Sequence, residues 1–281
     1  MTVRGEYRLK QIQMRNNVQI IGAGSQTIVM AHGFGCDQKM WQYILPYFEK
    51  NYRIVLFDYV GSGESDIRAY DGQKYNSLHG YKRDLLDVLE AFDLHNIIYF
   101  GHSVSSMIGM LAAIEKPEYF ERIIMIGPSP CYINDENYNG GFNVSDIEEL
   151  LSMMEMNFSG WASFMAPYAM GAQESNALTE ELHESFRTID QTVAKQFAEA
   201  TFYSDHREDL AKCETPTFIL QCSNDSIVPV EVGHFLHEHL KNSELFVMEV
   251  KGHYPHISEP EKTSDIILQY LRQNAKENTY A

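Results

Sequence analysis

The five-residue run Asn96–Phe100 (NIIYF), uncharged and without a polar face, constrains this chain most. A strand of that kind has to be covered on both sides, which is the condition of a strand inside a parallel sheet. Similar runs recur at Thr27–Ala31 (TIVMA), Arg53–Asp58 (RIVLFD), Arg122–Ile126 (RIIMI), Thr217–Gln221 (TFILQ) and Glu244–Val250 (ELFVMEV). Val18–Ile21 reads as a further strand, set off by the turn Gly22-Ala23-Gly24. Helical patterns alternate with them. Tyr81–Phe92 carries an apolar stripe at Leu85, Leu86, Val88, Leu89 and Phe92, and Val104–Glu115 stops near Pro117. Val230–Leu240 and Pro260–Gln273 repeat the pattern late in the chain. This alternation predicts an α/β protein: a mostly parallel central sheet covered by helices on both faces.

Between Pro128 and Pro216 the strand–helix rhythm stops, and the segment is rich in Met and aromatic residues at helical spacing. The expected organisation is an α/β core over 1–127 and 214–281 with an all-helical insertion over 128–213. That insertion is either a subdomain packed on itself or a lid whose inner face lines an apolar pocket. Its position between two strands favours the lid if a catalytic site lies beneath it.

Charge removes several function classes. The 281 residues hold 39 Asp plus Glu against 22 Lys plus Arg, a formal net charge of −17. Such a surface repels phosphate backbones and anionic lipid, so neither nucleic acid nor membrane is expected as a partner. The N-terminal segment lacks the apolar core of a secretory signal, and no apolar run approaches the roughly 18 residues of a membrane span. Cys36, Cys131, Cys213 and Cys222 show no paired spacing, which points to free thiols in a reducing cytoplasm.

Three separately placed features carry chemistry. Gly101-His102-Ser103-Val104-Ser105 follows a strand and opens a helix, so Ser103 is placed on a sharp turn above the sheet edge with a helix N-terminus behind it. Ser105 stands where the G-x-S-x-G pattern has its second glycine. Asp225 sits in the loop after the TFILQ strand, where a carboxylate can orient a histidine. His253 follows the last strand and is favoured as general base because it comes directly after Gly252, with His256 as the competing candidate. The chain order Ser, Asp, His is that of α/β hydrolases. His32-Gly33-Phe34-Gly35, directly after the TIVMA strand, can aim a backbone N–H at an oxyanion, with the Val104 N–H as second donor. His32 itself is expected as a buried, hydrogen-bonded ring. His234, His237 and His239 share one predicted helix but lack the H-E-x-x-H pattern, so no metal is expected. No cofactor-binding motif is found.

The segments HGFGCDQKMW, FDYVGSGESD, GHSVSSMIGM, GWASFMAP, ATFYSD and GHYPHIS together resemble the RsbQ family of α/β hydrolases, relatives of the plant karrikin and strigolactone receptors. The resemblance runs from about Val18 to Tyr270, and serine after GHSV is a mark of the group. It implies an α/β-hydrolase fold with Ser103 as nucleophile, Asp225 as acid, His253 as base, and the amides of Phe34 and Val104 as the oxyanion hole. It also implies a V-shaped cap of four helices over an apolar cavity. The implied walls are Phe34, Tyr132, Phe142, Leu150, Trp161, Met165, Leu182 and Phe202, with Met165 and Leu182 aliphatic where the plant receptors have aromatic rings. The segment before Asn16 is an addition to the family pattern.

Two functions follow as expectations. One is a serine hydrolase acting on a small hydrophobic ester or lactone without a cofactor, with a regulatory role in RsbQ-like stress signalling that the resemblance implies. The other, implied by the resemblance, is a stress-signalling sensor that binds or slowly hydrolyses a small hydrophobic molecule. It would then activate a partner, in the bacterial pathway a PAS-domain-containing serine phosphatase. Both share one triad, so the residues alone do not separate them.

Overall fold

The structure, a computed structural model, describes residues 3–171 and 177–277. Residues 1–2, 172–176 and 278–281, which the expected division includes, lie outside the described residues. Seven strands form one sheet: β1 (Gln19–Ile21), β2 (Gln26–Ala31), β3 (Tyr52–Phe57), β4 (Ile97–His102), β5 (Phe120–Ile126), β6 (Thr217–Asn224) and β7 (Ser243–Lys251). Their order is β1-β3-β2-β4-β5-β6-β7. Every pairing is parallel except the edge pair of β1 with β3. The expected α/β class with a mostly parallel sheet is what the chain forms.

The helices are α1 (Val3–Arg15), α2 (Leu45–Phe48), α3 (Leu78–Ala91), α4 (Val104–Glu115), α5 (Val144–Met156), α6 (Phe158–Met170), α7 (Ala177–Thr188), α8 (Gln191–Phe202), α9 (Val230–His239), α10 (Pro255–Ser258) and α11 (Pro260–Glu277). Helices α3 and α4 pack on each other, α4 lies on β4 and β5, and α9 lies on β6 and β7. Helix α11 reaches β6 through Tyr270, whose ring stacks on Phe218 at 4.4 Å. All six residues of β4 are buried, as a strand covered on both faces requires. The edge strand β7 alternates between more and less exposed positions along most of its length.

Helix α1 was not anticipated. Its sequence is strongly polar on average, with Ile12 its buried anchor. What fixes it is charge: Arg8 meets Glu90 at 2.6 Å, and Arg15 meets Asp87 at 2.9 Å and the buried Asp84 at 3.4 Å, all three acids on α3. Periodicity in the sequence does not register that kind of anchor.

Helices α5 to α8 fall between β5 and β6; α6, α7 and α8 bond to loops that leave the carboxyl ends of the strands, and α5 packs on α6 and α8. The Ser185 hydroxyl on α7 donates to the Gly35 carbonyl at 2.9 Å, and the Tyr70 hydroxyl donates to Gln196 on α8 at 2.9 Å. The Ala169 carbonyl on α6 accepts from the His253 N–H at 2.7 Å. These four helices therefore stand over the end of the sheet at which α/β proteins place ligands.

Candidate active site

Ser103 occupies the step from β4 into α4 with φ 55° and ψ −125°, a conformation rare for a residue with a side chain. Strain of about 1–3 kcal/mol at such a position persists only where the surroundings impose it, and it is the mark of a nucleophile elbow. The turn is anchored to the neighbouring strand β5 by the Ser103 N–H donating to the Ile126 carbonyl at 2.8 Å. It also requires Gly101, where an added Cβ would come within 2.7 Å of the Ser105 main chain.

The side chains of Ser103, His253 and Asp225 form one hydrogen-bonded line. The Ser103 Oγ lies 2.8 Å from Nε2 of His253, and Nδ1 of the same ring lies 2.7 Å from Oδ2 of Asp225. Asp225 is itself held, its Oδ1 accepting from the N–H groups of Ile227 at 2.8 Å and Val228 at 3.1 Å. A carboxyl oxygen facing Nδ1 suits a tautomer in which Nδ1–H donates to Asp225 and Nε2 accepts from the serine. Ser103 is 6% and His253 3% exposed, so the line is nearly free of competing water.

His256, the competing base, is placed elsewhere. It is fully buried between Trp41 and His102, at ring distances of 4.9 and 4.6 Å, and its nitrogens find no partner among the described residues. Burial pushes its pKa down to about 3, which keeps it neutral. Burial also holds His102 well below the usual range, so its Nε2–H donates to the His253 carbonyl at 2.9 Å from a neutral ring. His32 is the expected structural ring: Nδ1 lies 2.9 Å from the Gly33 carbonyl, and Nε2 accepts from the Tyr59 N–H at 3.2 Å.

The two candidate oxyanion donors flank the serine. Val104 is the first residue of α4, so its N–H has no carbonyl one turn earlier to satisfy it. Phe34 sits in a turn after β2 that closes with the Cys36 N–H donating to the Gly33 carbonyl at 3.3 Å, Gly35 taking the left-handed position at φ 77°. Strands β2 and β4 are parallel neighbours, which brings this turn beside Ser103.

A cavity of about 30 Å³ opens on Ser103 and His253. Of the expected walls, Phe34, Tyr132, Met165 and Phe202 line it; the Tyr132 hydroxyl is 3.4 Å from the Ser103 Oγ. The other four do not. Phe142 stacks edge-on behind Phe202 at 5.7 Å, and Trp161 stands behind Phe34 at 6.0 Å. Leu150 is only partly buried against the core, and Leu182 lines a separate cavity. Walls not expected are Ala169, Phe186, Thr201, Ile227 and Tyr254. Side-chain type in a helical insertion does not reveal which apolar residue turns inward, because the helix rotation is set by packing.

Among the described residues no cluster of His, Cys, Asp or Glu could hold a metal, and the His237 and His239 rings bond to Ser243 and to the Phe235 carbonyl. The four cysteines are free and buried. No helix of the described residues is long and apolar enough to cross a membrane.

The sequence pattern of the alpha/beta hydrolase fold matches residues 26–260. The chain belongs to the α/β-hydrolase fold family. It is 34% identical over 264 residues to karrikin insensitive 2 receptor CA of Petunia hybrida, covering 94% of this chain and 98% of the receptor. It is 37% identical over 258 residues to strigolactone esterase D14 of Arabidopsis thaliana, covering 92% and 95%. Among solved structures, a hydrolase from Oleispira antarctica superposes with TM-score 0.92 at 42% identity, covering 94% of this chain and 97% of that one. With esterases and hydrolases among its relatives, this α/β-hydrolase is an enzyme of the ester-hydrolase type.

Proposed function

We infer that the protein is a serine hydrolase cleaving a small hydrophobic ester or lactone. The observation that carries this reading is the unbroken line from Asp225 through His253 to Ser103, with the serine backbone held in its strained turn. Ser103 Oγ attacks the carbonyl carbon while His253 Nε2 takes its proton. The oxygen, now negative, sits between the N–H groups of Phe34 and Val104. Collapse breaks the bond to the alcohol oxygen, which leaves with the proton from His253. A water then loses a proton to His253, attacks the acyl group and releases the acid, restoring Ser103. Asp225 holds the imidazolium through both steps. In this reading residues 128–213 are a cap over the pocket, and no cofactor enters.

A second reading is favoured by the small size of the cavity over Ser103, about 30 Å³, and by receptors among the relatives. Here the protein is a sensor that acylates slowly, in RsbQ-like stress signalling, with a PAS-domain serine phosphatase as the partner to test. Stopped-flow hydrolysis of p-nitrophenyl acetate by wild type and Ser103→Ala separates the readings. Sustained Ser103-dependent turnover supports the hydrolase, and a burst near one equivalent with slow release supports the sensor. Equal rates in both proteins would overturn both readings.

A further inference from the structure

Next to the small cavity over Ser103 lies a second one of about 370 Å³, between α7 and the loop that follows Gly35. Its floor is apolar: Cys36, Met40, Leu178, Leu182 and Ile257. Its rim is acidic on balance, with Asp37, Glu64, Glu181 and Glu184 against two cations, Lys39 paired with Glu64 at 3.0 Å and Arg187 paired with Glu184 at 2.9 Å. The size falls within the range of small-molecule sites, which the inner cavity does not reach.

Very little separates the two. Phe186 lines the inner cavity, while its neighbour Ser185 lines the outer one. The Phe186 ring lies over the backbone of Gly35 so closely that a Cβ there would meet the ring at 2.3 Å. Below it, Cys36 of the outer cavity touches Tyr254 of the inner one, Sγ to hydroxyl at 3.8 Å. Burial pushes the Cys36 thiol up to about 12, so this contact is between neutral groups. Of the groups at this boundary, Phe186 enters as a side chain from α7, whereas Gly35 and Cys36 belong to the loop after β2.

We propose that Phe186 is a specificity-determining gate between the Ser103 cavity and the outer cavity, which takes the uncharged apolar tail of the substrate. The inference rests on Ser103 being the nucleophile and names the substrate class that reading leaves open: a neutral ester whose tail is too long for the inner cavity. Substrates ending in a carboxylate are disfavoured by the acidic rim.

The test compares wild type, Phe186→Ala and Leu178→Trp, the last filling the outer cavity away from the gate. The readouts are kcat/KM for p-nitrophenyl octanoate relative to acetate, and the affinity for octan-2-one relative to butan-2-one. Trp161, whose ring is 5.2 Å from Phe186, reports binding by fluorescence. Opening the gate should raise both ratios about tenfold, and filling the outer cavity should lower both about tenfold. Ratios within about twofold of wild type in the folded variants would overturn the gate. If Phe186→Ala does not fold, Leu178→Trp decides alone. A shifted ketone ratio without Ser103-dependent turnover in any protein would keep the gate and remove the hydrolase reading. In wild type, the p-nitrophenyl monoester of octanedioic acid should be used about tenfold less well than the octanoate, the gap narrowing with salt; equal use would overturn the selection against charge.

Discussion

The Ser105 hydroxyl donates to the main-chain carbonyl of His32 at 2.5 Å, tying the helix behind Ser103 to the loop that carries Phe34. Ser105 also lies 3.1 Å from the Tyr59 hydroxyl, and its own carbonyl accepts from Tyr99 at 2.9 Å. The residue that breaks the G-x-S-x-G pattern is thus a brace between the two halves of the candidate oxyanion hole.

Ser105→Gly, although it restores the commoner pattern, should therefore lower activity. The His32 carbonyl would lose its donor in a buried site, a cost of about 1–3 kcal/mol. Thermal melts should show that loss, and kcat for p-nitrophenyl acetate should fall about tenfold through a displaced Phe34 N–H. An unchanged kcat would mean that the brace has no part in positioning the donor.

Asp225→Asn keeps an oxygen for the Ile227 and Val228 N–H groups but removes the charge opposite Nδ1 of His253. The fold should survive, and kcat should drop by about 10⁴ as the imidazole settles in the wrong tautomer. A drop of less than about tenfold would rule out Asp225 as the orienting acid.

Acid should destabilise the protein through His256. Its pKa is about 3 when folded and about 6.5 in an unfolded chain, so below that value the unfolded state binds more protons. The stabilisation is complete above about pH 6.5 and is lost as pH falls towards the folded value, at about 1.4 kcal/mol per pH unit. His102, shifted in the same direction, adds to the slope. Urea titrations at stepped pH should show His256→Phe with a shallower acid limb than wild type. Parallel limbs would place the titrating group elsewhere.

Helix α1 should be held mainly by its buried end. Arg15→Ala leaves Asp84, which has no exposed side-chain surface, with Lys74 at 2.7 Å as its remaining cation, and should cost about 1–3 kcal/mol. Arg8 is half exposed, so Arg8→Ala should cost less than about 1 kcal/mol. Chemical denaturation of both variants measures the difference, and equal costs would contradict this account.

Strand and helix identities were legible because burial on both faces leaves continuous apolar runs and helices leave a stripe, and Val104–Glu115 begins and ends as expected. Ser103, Asp225 and His253 could be nominated as candidates because each follows a strand at the end of the sheet where chemistry is placed. The sequence alone thus determined the fold class and nominated the three residues. Tertiary structure decided what depends on distance and rotation. It set His253 rather than His256 beside Ser103, since only the former's ring reaches Asp225. It turned Phe186 towards the serine and Leu182 away from it, a choice made by how α7 packs. It also docked α1 on α3, with ion pairs to acids about 70 to 80 residues away in the chain, a partnership that no local pattern encodes because its energy exists only once both helices are in place.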